Sequence, residues 1–298
     1  MTTVAIVGMG RMGTAMARAL ASGGDVSLVL HNRTPARADA LAAELDARTA
    51  ATPAEAASAA DVAITMLADG PAVASVWEGE DGMLAGARQG SVLVDMSTVA
   101  PDTLRPFAAR AAGAGAGILD APVSGSVALA ESGTLTIMAG GDADALERAR
   151  PAFDRLAQKV FHMGPLGSGH AMKLAVNGVI FALNNAVAEA LVLAERAGIP
   201  RKKAYEVLAS GAAGAPYLDY KREAFVTPDD APVGFSLELA AKDLDLIAAF
   251  ADGLNVPVAQ TAVNRQLIDE AASGVGRDRD FSAVAVHLRN RAGEGRAD

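Results

Sequence analysis

Cysteine is absent from the 298 residues, and that single gap removes several chemistries. A chain without thiols has no disulfide framework, no thiolate nucleophile and no Cys-ligated zinc or iron–sulfur centre. Histidine is nearly as scarce. His31, His162, His170 and His287 are scattered at spacings that match no ligand pattern, so no metal site is expected. Positive charge is short too, with 26 Lys+Arg against 35 Asp+Glu and a net charge of −9. Such a chain lacks the basic footprint with which nucleic-acid binders neutralise phosphates. Nor is there a long hydrophobic run: residues 174–188, the most apolar internal stretch, fall short of the roughly 20 that span a bilayer and contain Asn177, Asn184 and Asn185. The first eight residues carry no basic leader and read as a strand, not a secretory signal. These absences predict a soluble, cytoplasmic protein with neither nucleic acid nor membrane as partner.

What is present is organised in two parts. Over residues 1–163, short runs rich in Val, Ile and Leu alternate with Ala-rich helical stretches, the pattern of a parallel sheet covered on both faces. Strands are expected at 4–7, 27–30, 62–67, 91–96, 117–120, 134–139 and 159–162, with early helices at 14–22 and 35–45. After residue 164 no strand-like run recurs. Residues 168–197 read as one long helix closed by Gly198 and Pro200, followed by helices at 201–210, 235–252 and 259–273, with breaks at 211–216, 228–234 and 253–257. Residues 289–298 read as frayed. The fold class expected is therefore α/β: a Rossmann-type doubly wound sheet (1–163, dinucleotide binding) followed by an all-α C-terminal domain (164–298, substrate binding and dimerisation), linked by a long helix.

The first strand runs straight into Gly8, Met9, Gly10, Arg11, Met12 and Gly13, and a helix-forming stretch follows. In that setting Gly8 permits a tight turn, Gly10 lets backbone approach a pyrophosphate, and Gly13 lets helix pack close to strand, with the phosphates at the helix N-terminus. The plainer alternative is an ordinary glycine turn. About 20 residues on, where NAD-type sites carry an acid for the ribose hydroxyls, stand Asn32, Arg33 and Thr34. Arg33 offers a fork of donors suited to a phosphate, which favours NADP (as NADPH) over NAD. The alternative is that Arg33 is a solvated loop residue. Further along, Lys173 and Asn177 are spaced i, i+4 at the start of the long helix and share one face, able to point together into a cleft at the domain junction. Helix physics by itself leaves Lys173 open between a snorkelling surface lysine and one kept for a purpose.

Taken with residues 95–98, residues 120–126 followed by Gly133, Thr134 and Leu135, residues 242–244 and residues 280–284, these motifs make the chain resemble the β-hydroxyacid dehydrogenases along almost its whole length. Within that family it most resembles the 3-hydroxyisobutyrate dehydrogenase-like, NADPH-using glyoxylate and succinic semialdehyde reductases. The resemblance implies that Lys173 hydrogen-bonds and protonates the substrate oxygen while Asn177 orients substrate and lysine. Ser124, Gly125 and Ser126 would hold a substrate carboxylate, Phe235 would close the site, and Asp243 would serve it as partner of a nearby lysine. Met66, Leu67 and Ala68 would form a cofactor-contacting edge, with Thr98 and Lys242 touching the nicotinamide half. Read from local chemistry instead, the Ser124 turn is a strand-to-loop connection, Thr98 a helix cap, and Lys242 with Asp243 a solvated pair. The activity implied is NADPH-dependent reduction of a small, carboxylate-bearing aldehyde or keto acid of the glyoxylate, succinic semialdehyde or tartronate semialdehyde type, by a homodimer or homotetramer. Two alternatives stand beside it: an imine reductase of the same fold, and a non-catalytic NADPH-binding interaction module.

Overall fold

Aliphatic runs buried on both sides build the sheet of the first unit. Six strands, β1 (Thr2–Val7), β2 (Val26–His31), β3 (Arg48–Thr49), β4 (Val62–Thr65), β5 (Val92–Asp95) and β6 (Gly117–Asp120), lie parallel in the order β3-β2-β1-β4-β5-β6 in a computed structural model that describes residues 1–294. The expectation of a wholly parallel sheet is corrected beyond β6. There β7 (Val123–Ser124) and β8 (Leu135–Gly141) follow, with β8 antiparallel to both β6 and β7, while β9 (Ala157–Gly164) returns parallel to β8. The chain between β6 and β8 turns back through Gly125 at φ +144° instead of crossing over the sheet, and only a crossover would have kept the strands parallel. β3 and β7 were not anticipated, since two-residue strands carry no periodicity to read.

Helices α1 (Arg11–Ala21), α2 (Pro35–Leu45), α3 (Pro53–Ser58), α4 (Gly70–Trp77), α5 (Ala108–Gly113), α6 (Val127–Glu131) and α7 (Ala143–Leu156) cover the sheet. Alternation along β1 sorts the two cores. Val4 and Ile6 join Met16, Leu20 and Phe153 on one face, whereas Ala5 and Val7 join Trp77, Leu93 and Phe107 on the other.

The last element to begin in this unit is α8 (Ser168–Arg196), at about 44 Å for its 29 residues. The first unit ends at Lys173 and the second begins at Leu174, ten residues beyond the expected 163/164 boundary. The entry to α8 is bound to the sheet: Gly167 N and His170 N both donate to the Asp120 carboxylate at 2.7 Å.

The second unit contains the rest of α8 with α9 (Arg201–Ser210), α10 (Pro216–Val226), α11 (Leu237–Gly253), α12 (Ala259–Val275) and α13 (Val284–Glu294). α10 was not anticipated: the break expected at 211–216 overlaps it only at Pro216, which occupies the first helical turn, where its fixed φ starts a helix instead of stopping one. Residues 289–294 are helical, not frayed; 295–298 lie outside the described residues. The length expectation for residues 174–188 also needs correction, since α8 is long and apolar enough to cross a membrane by length and composition. Its inward face is nonetheless core, with Leu174, Phe181, Ala188 and Leu191 packed on Tyr205, Phe225, Leu244 and Phe281. Its buried amides are satisfied within the unit: Asn184 Nδ2 donates to Phe281 O at 3.2 Å and Asn185 Nδ2 to Asn264 Oδ1 at 3.1 Å.

A buried ion pair pins the loop before α11. Lys221 Nζ lies 2.7 Å from both carboxylate oxygens of Asp280, and Asp280 Oδ2 also accepts from Gly234 N at 2.9 Å and Phe235 N at 3.2 Å. Burial works to raise the Asp280 carboxyl, but the ammonium and the hydrogen bonds outweigh it and hold it below the ordinary value. Removing one partner of such a pair strands the other charge in a dry site, so Lys221→Ala should cost about 3–5 kcal/mol in urea unfolding at pH 7. A depressed carboxyl stabilises above its unfolded value of about 4 and ceases to as pH falls through the lowered folded value. The parent should therefore lose this increment only below about pH 4, and the variant should lack it at neutral pH.

Candidate functional site

Strand register assembles the first half of the site. Val7 pairs with His31 and Thr65, Thr65 with Asp95, and Asp95 with Asp120, so five parallel strands end level. The segments that leave them, Gly8–Gly13, Asn32–Thr34, Met66–Ala68 and Met96–Thr98, therefore run along one carboxyl edge, the edge where open α/β sheets bind ligands. Met66 and Leu67 are half-buried there, Ala68 is exposed, and Thr98 is half-buried just past β5.

The glycines divide their work as the spacing predicts. Gly8 sits at φ +112° with its N–H donated to His31 O at 2.9 Å, and a Cβ there would come 2.4 Å from Met66 O. A Cβ on Gly13 would come 2.0 Å from Gly8 O, so both are required by the protein's own packing. Gly10 is different: a Cβ there would meet nothing within 4 Å. Helix α1 starts at Arg11, three residues earlier than expected, with exposed Gly10 as an N-cap that offers no side-chain partner to the first-turn amides. An open cradle beside unsatisfied N–H groups at a helix N-terminus fits a pyrophosphate. Met9 is buried, Met12 half-buried and Arg11 exposed.

Asn32 holds the loop. Its Oδ1 accepts from Met9 N at 3.0 Å and its Nδ2 donates to Thr34 O at 2.9 Å, so its amide ties the glycine turn to the segment after β2. Arg33 and Thr34 are exposed, and Thr34 precedes α2 without capping it. No carboxylate stands in this segment.

A cluster that spacing did not reveal lies beneath the same edge. Asp95, Asp120 and His170 are each fully buried. His170 Nε2 is 3.1 Å from Asp95 Oδ2, and its Nδ1 is 3.8 Å from Asp120 Oδ2. Burial raises the Asp120 carboxyl, against the pull of His170 and the backbone donors Gly167 and His170. The other oxygen of Asp95 accepts from Thr65 Oγ1 at 2.6 Å and Ser97 Oγ at 2.8 Å, and Ser97 Oγ accepts from Leu67 N at 2.9 Å. Both acids stood in motifs that the sequence singled out, but their meeting with His170 depends on strand register and on where α8 begins.

Lys173 is half-buried and lies one turn beyond His170, in the second turn of α8, next to the turn that meets the cluster at the ends of β5 and β6. Ser124 is in β7, Gly125 forms the turn, and Ser126 caps α6 by accepting from Leu129 N at 3.3 Å. That bond commits a Ser126 lone pair, leaving its O–H available to donate. In the second unit, Asn177 Nδ2 donates to Asp243 Oδ2 at 2.8 Å, and Asp243 Oδ1 lies 2.7 Å from Lys242 Nζ. Asn177, Asp243 and Lys242 are thus brought together, with Asp243 buried between the other two. Phe235 packs against Phe281 and Phe181 at ring-centroid separations of 5.6 and 6.3 Å.

Known proteins resemble this chain along nearly its whole length. Residues 3–164 match the family model for the NAD binding domain of 6-phosphogluconate dehydrogenase, and residues 167–288 match that for the NAD-binding domain of NADP-dependent 3-hydroxyisobutyrate dehydrogenase. The chain is 35% identical to the NAD-dependent L-serine dehydrogenase of Pseudomonas aeruginosa, over 95% of this chain and 97% of that one. It is likewise 35% identical to the 2-hydroxy-3-oxopropionate reductase of Escherichia coli, over 95% of each. Among solved structures, the 3-hydroxyisobutyrate dehydrogenase of Mycobacterium tuberculosis with L-serine superposes with a TM-score of 0.83 at 33% identity, covering 97% of this chain and 99% of that one.

The contrast between glycines yields a test. Gly10→Val should fold with a melting temperature close to the parent's, because the new side chain enters open space, yet weaken NAD(P)H binding at least tenfold by fluorescence titration. Gly13→Val should instead impair folding itself.

Proposed function

From the premise that this chain belongs to the β-hydroxyacid dehydrogenase family and is an oxidoreductase with NAD(P)-binding domains, we propose that it is an NADPH-dependent reductase of a small aldehyde or keto acid that carries a carboxylate. The observation that carries this reading is Lys173: an amine one turn beyond the buried cluster at the carboxyl ends of β5 and β6. When bound there, the nicotinamide supplies the hydride that converts a carbonyl carbon to a carbinol carbon. Negative charge then grows on the carbonyl oxygen. The Lys173 ammonium both stabilises that charge and delivers the proton from Nζ, so that aldehyde, hydride and proton give the hydroxy acid. Hydroxyls and backbone N–H groups of the Ser124–Ser126 turn suit the substrate carboxylate. The Asp243 carboxylate holds both Asn177 and Lys242.

Support for NADPH comes from Arg33, exposed at the end of β2 with no acid in the adjoining loop, because a guanidinium fork binds a 2′-phosphate and an acid would repel it. A charge-assisted contact of this kind is worth about 1.5–3 kcal/mol. Arg33→Ala should raise KM for NADPH about 10–100-fold and leave KM for NADH nearly unchanged. If both rise equally, or the parent prefers NADH, the NADPH reading fails.

Turnover tests the chemistry. Initial rates on glyoxylate, succinic semialdehyde, tartronate semialdehyde and 1-pyrroline should show aldehyde reduction in the parent, and Lys173→Ala should lower kcat about 10²–10⁴-fold. Activity on 1-pyrroline alone would assign the protein to imine reduction, and a Lys173→Ala protein as fast as the parent would remove the lysine from the mechanism.

A further inference from the structure

The Asp95–His170–Asp120 cluster has no part in the hydride or proton transfer itself, yet it joins the two components those transfers need. We propose that His170 is a positioning residue: by bridging two buried carboxylates at the ends of β5 and β6, it sets where the start of α8 presents Lys173, and it ties that placement through Asp95 to the cofactor edge of the sheet. The proposal rests on the reading of Lys173 as proton donor.

Three observations carry it. The first is that His170 is held at both backbone and side chain, its N–H donating to Asp120 Oδ2 at 2.7 Å and its Nε2 meeting Asp95 Oδ2 at 3.1 Å. Lys173 follows three residues on, so the rotation and height of that turn decide where its ammonium stands. The second is the division of Asp95, which faces α8 with one oxygen and Thr65 and Ser97 with the other; Ser97 in turn receives the N–H of Leu67 at the expected cofactor edge. The third is the tightness of the joint. A Cβ on Gly169 would come 2.2 Å from Met138 O, and one on Gly140 would come 2.4 Å from Asp120 Oδ1. Helix and strands therefore touch backbone to backbone, and α8 has no slack to absorb a change at His170.

Packed interfaces of this kind respond by small shifts, and a displacement near 1 Å of a catalytic group can cost about 10²-fold in rate. A residue that only filled space would behave otherwise: any side chain of similar bulk would serve, and losses would track stability. The two roles separate in a pair of amides. In His170→Gln the longer amide can still donate to Asp95, whereas in His170→Asn it falls short.

With NADPH and the best aldehyde substrate, His170→Asn should lose about 10–100-fold in kcat. Its NADPH Kd and aldehyde KM should stay within about threefold of the parent's, and kcat for His170→Gln should remain within about threefold. Equal kcat for the two amides overturns the proposal. So does a parallel decline of kcat, NADPH Kd and melting temperature in His170→Asn, which marks a purely structural residue. Should His170→Asn fail to fold, His170→Leu takes its place in the same comparison. Lys173→Ala run alongside separates the proton-donor role from the positioning role. If it turns over like the parent, the proton-donor reading fails and takes this proposal with it; if it is inactive while the amides are equal, only the positioning role fails.

Discussion

The Asp120 carboxylate accepts two backbone N–H groups at the entry of α8, and the architecture around the site depends on that contact. A carboxylate sealed at the end of β6 needs donors, and Gly167 and His170 supply them at 2.7 Å each. The same contact fixes the start of a 29-residue helix against the sheet. His170 then faces a second buried acid, Asp95, so one imidazole stands between two strand ends that register has already levelled. Acids this deep are kept in place by what surrounds them, and here the surroundings are the glycine-rich approach to α8.

The sheet edge shows the same economy in its glycines. Gly8 and Gly13 are demanded by the protein's own backbone, with carbonyl oxygens where a Cβ would be, whereas Gly10 opens on empty space. A turn built only for a strand-to-helix connection would have no reason to leave that cradle clear beside uncapped helix amides. Asn32 connects the turn to the loop after β2, so the segment bearing Arg33 is held to the segment that fits a pyrophosphate.

Much of this was legible in the chain of residues. The strand from 117 to 120 and the helices from 35 to 45 and 201 to 210 have the bounds expected of them, because Pro, Gly and aliphatic periodicity act over a few neighbours. The turn from Gly8 to Gly13 could be read for the same reason. β3 and β7 were too short to leave a pattern. α10 was missed because the break at 211–216 left the residues after it unassigned, and the antiparallel return of β8 rests on pairing with β7 and β6 across 12 to 22 residues, beyond the reach of strand periodicity. His170 had no partner within reach along the chain; Asp95 lies 75 residues away from it.

Local order thus determined the elements, the glycine turn, the shared face of Lys173 and Asn177, and the absence of an acid beside Arg33, since each depends on residues a few positions apart. Only the tertiary structure decided that Asp95, Asp120 and His170 form one buried cluster, that Asn177 reaches Asp243, and that Asp280 holds Phe235 by its backbone. Those contacts join segments whose separation is closed by strand register and helix packing, and the energy that makes them matter, the cost of burying charge without a partner, exists only after the chain has folded around them.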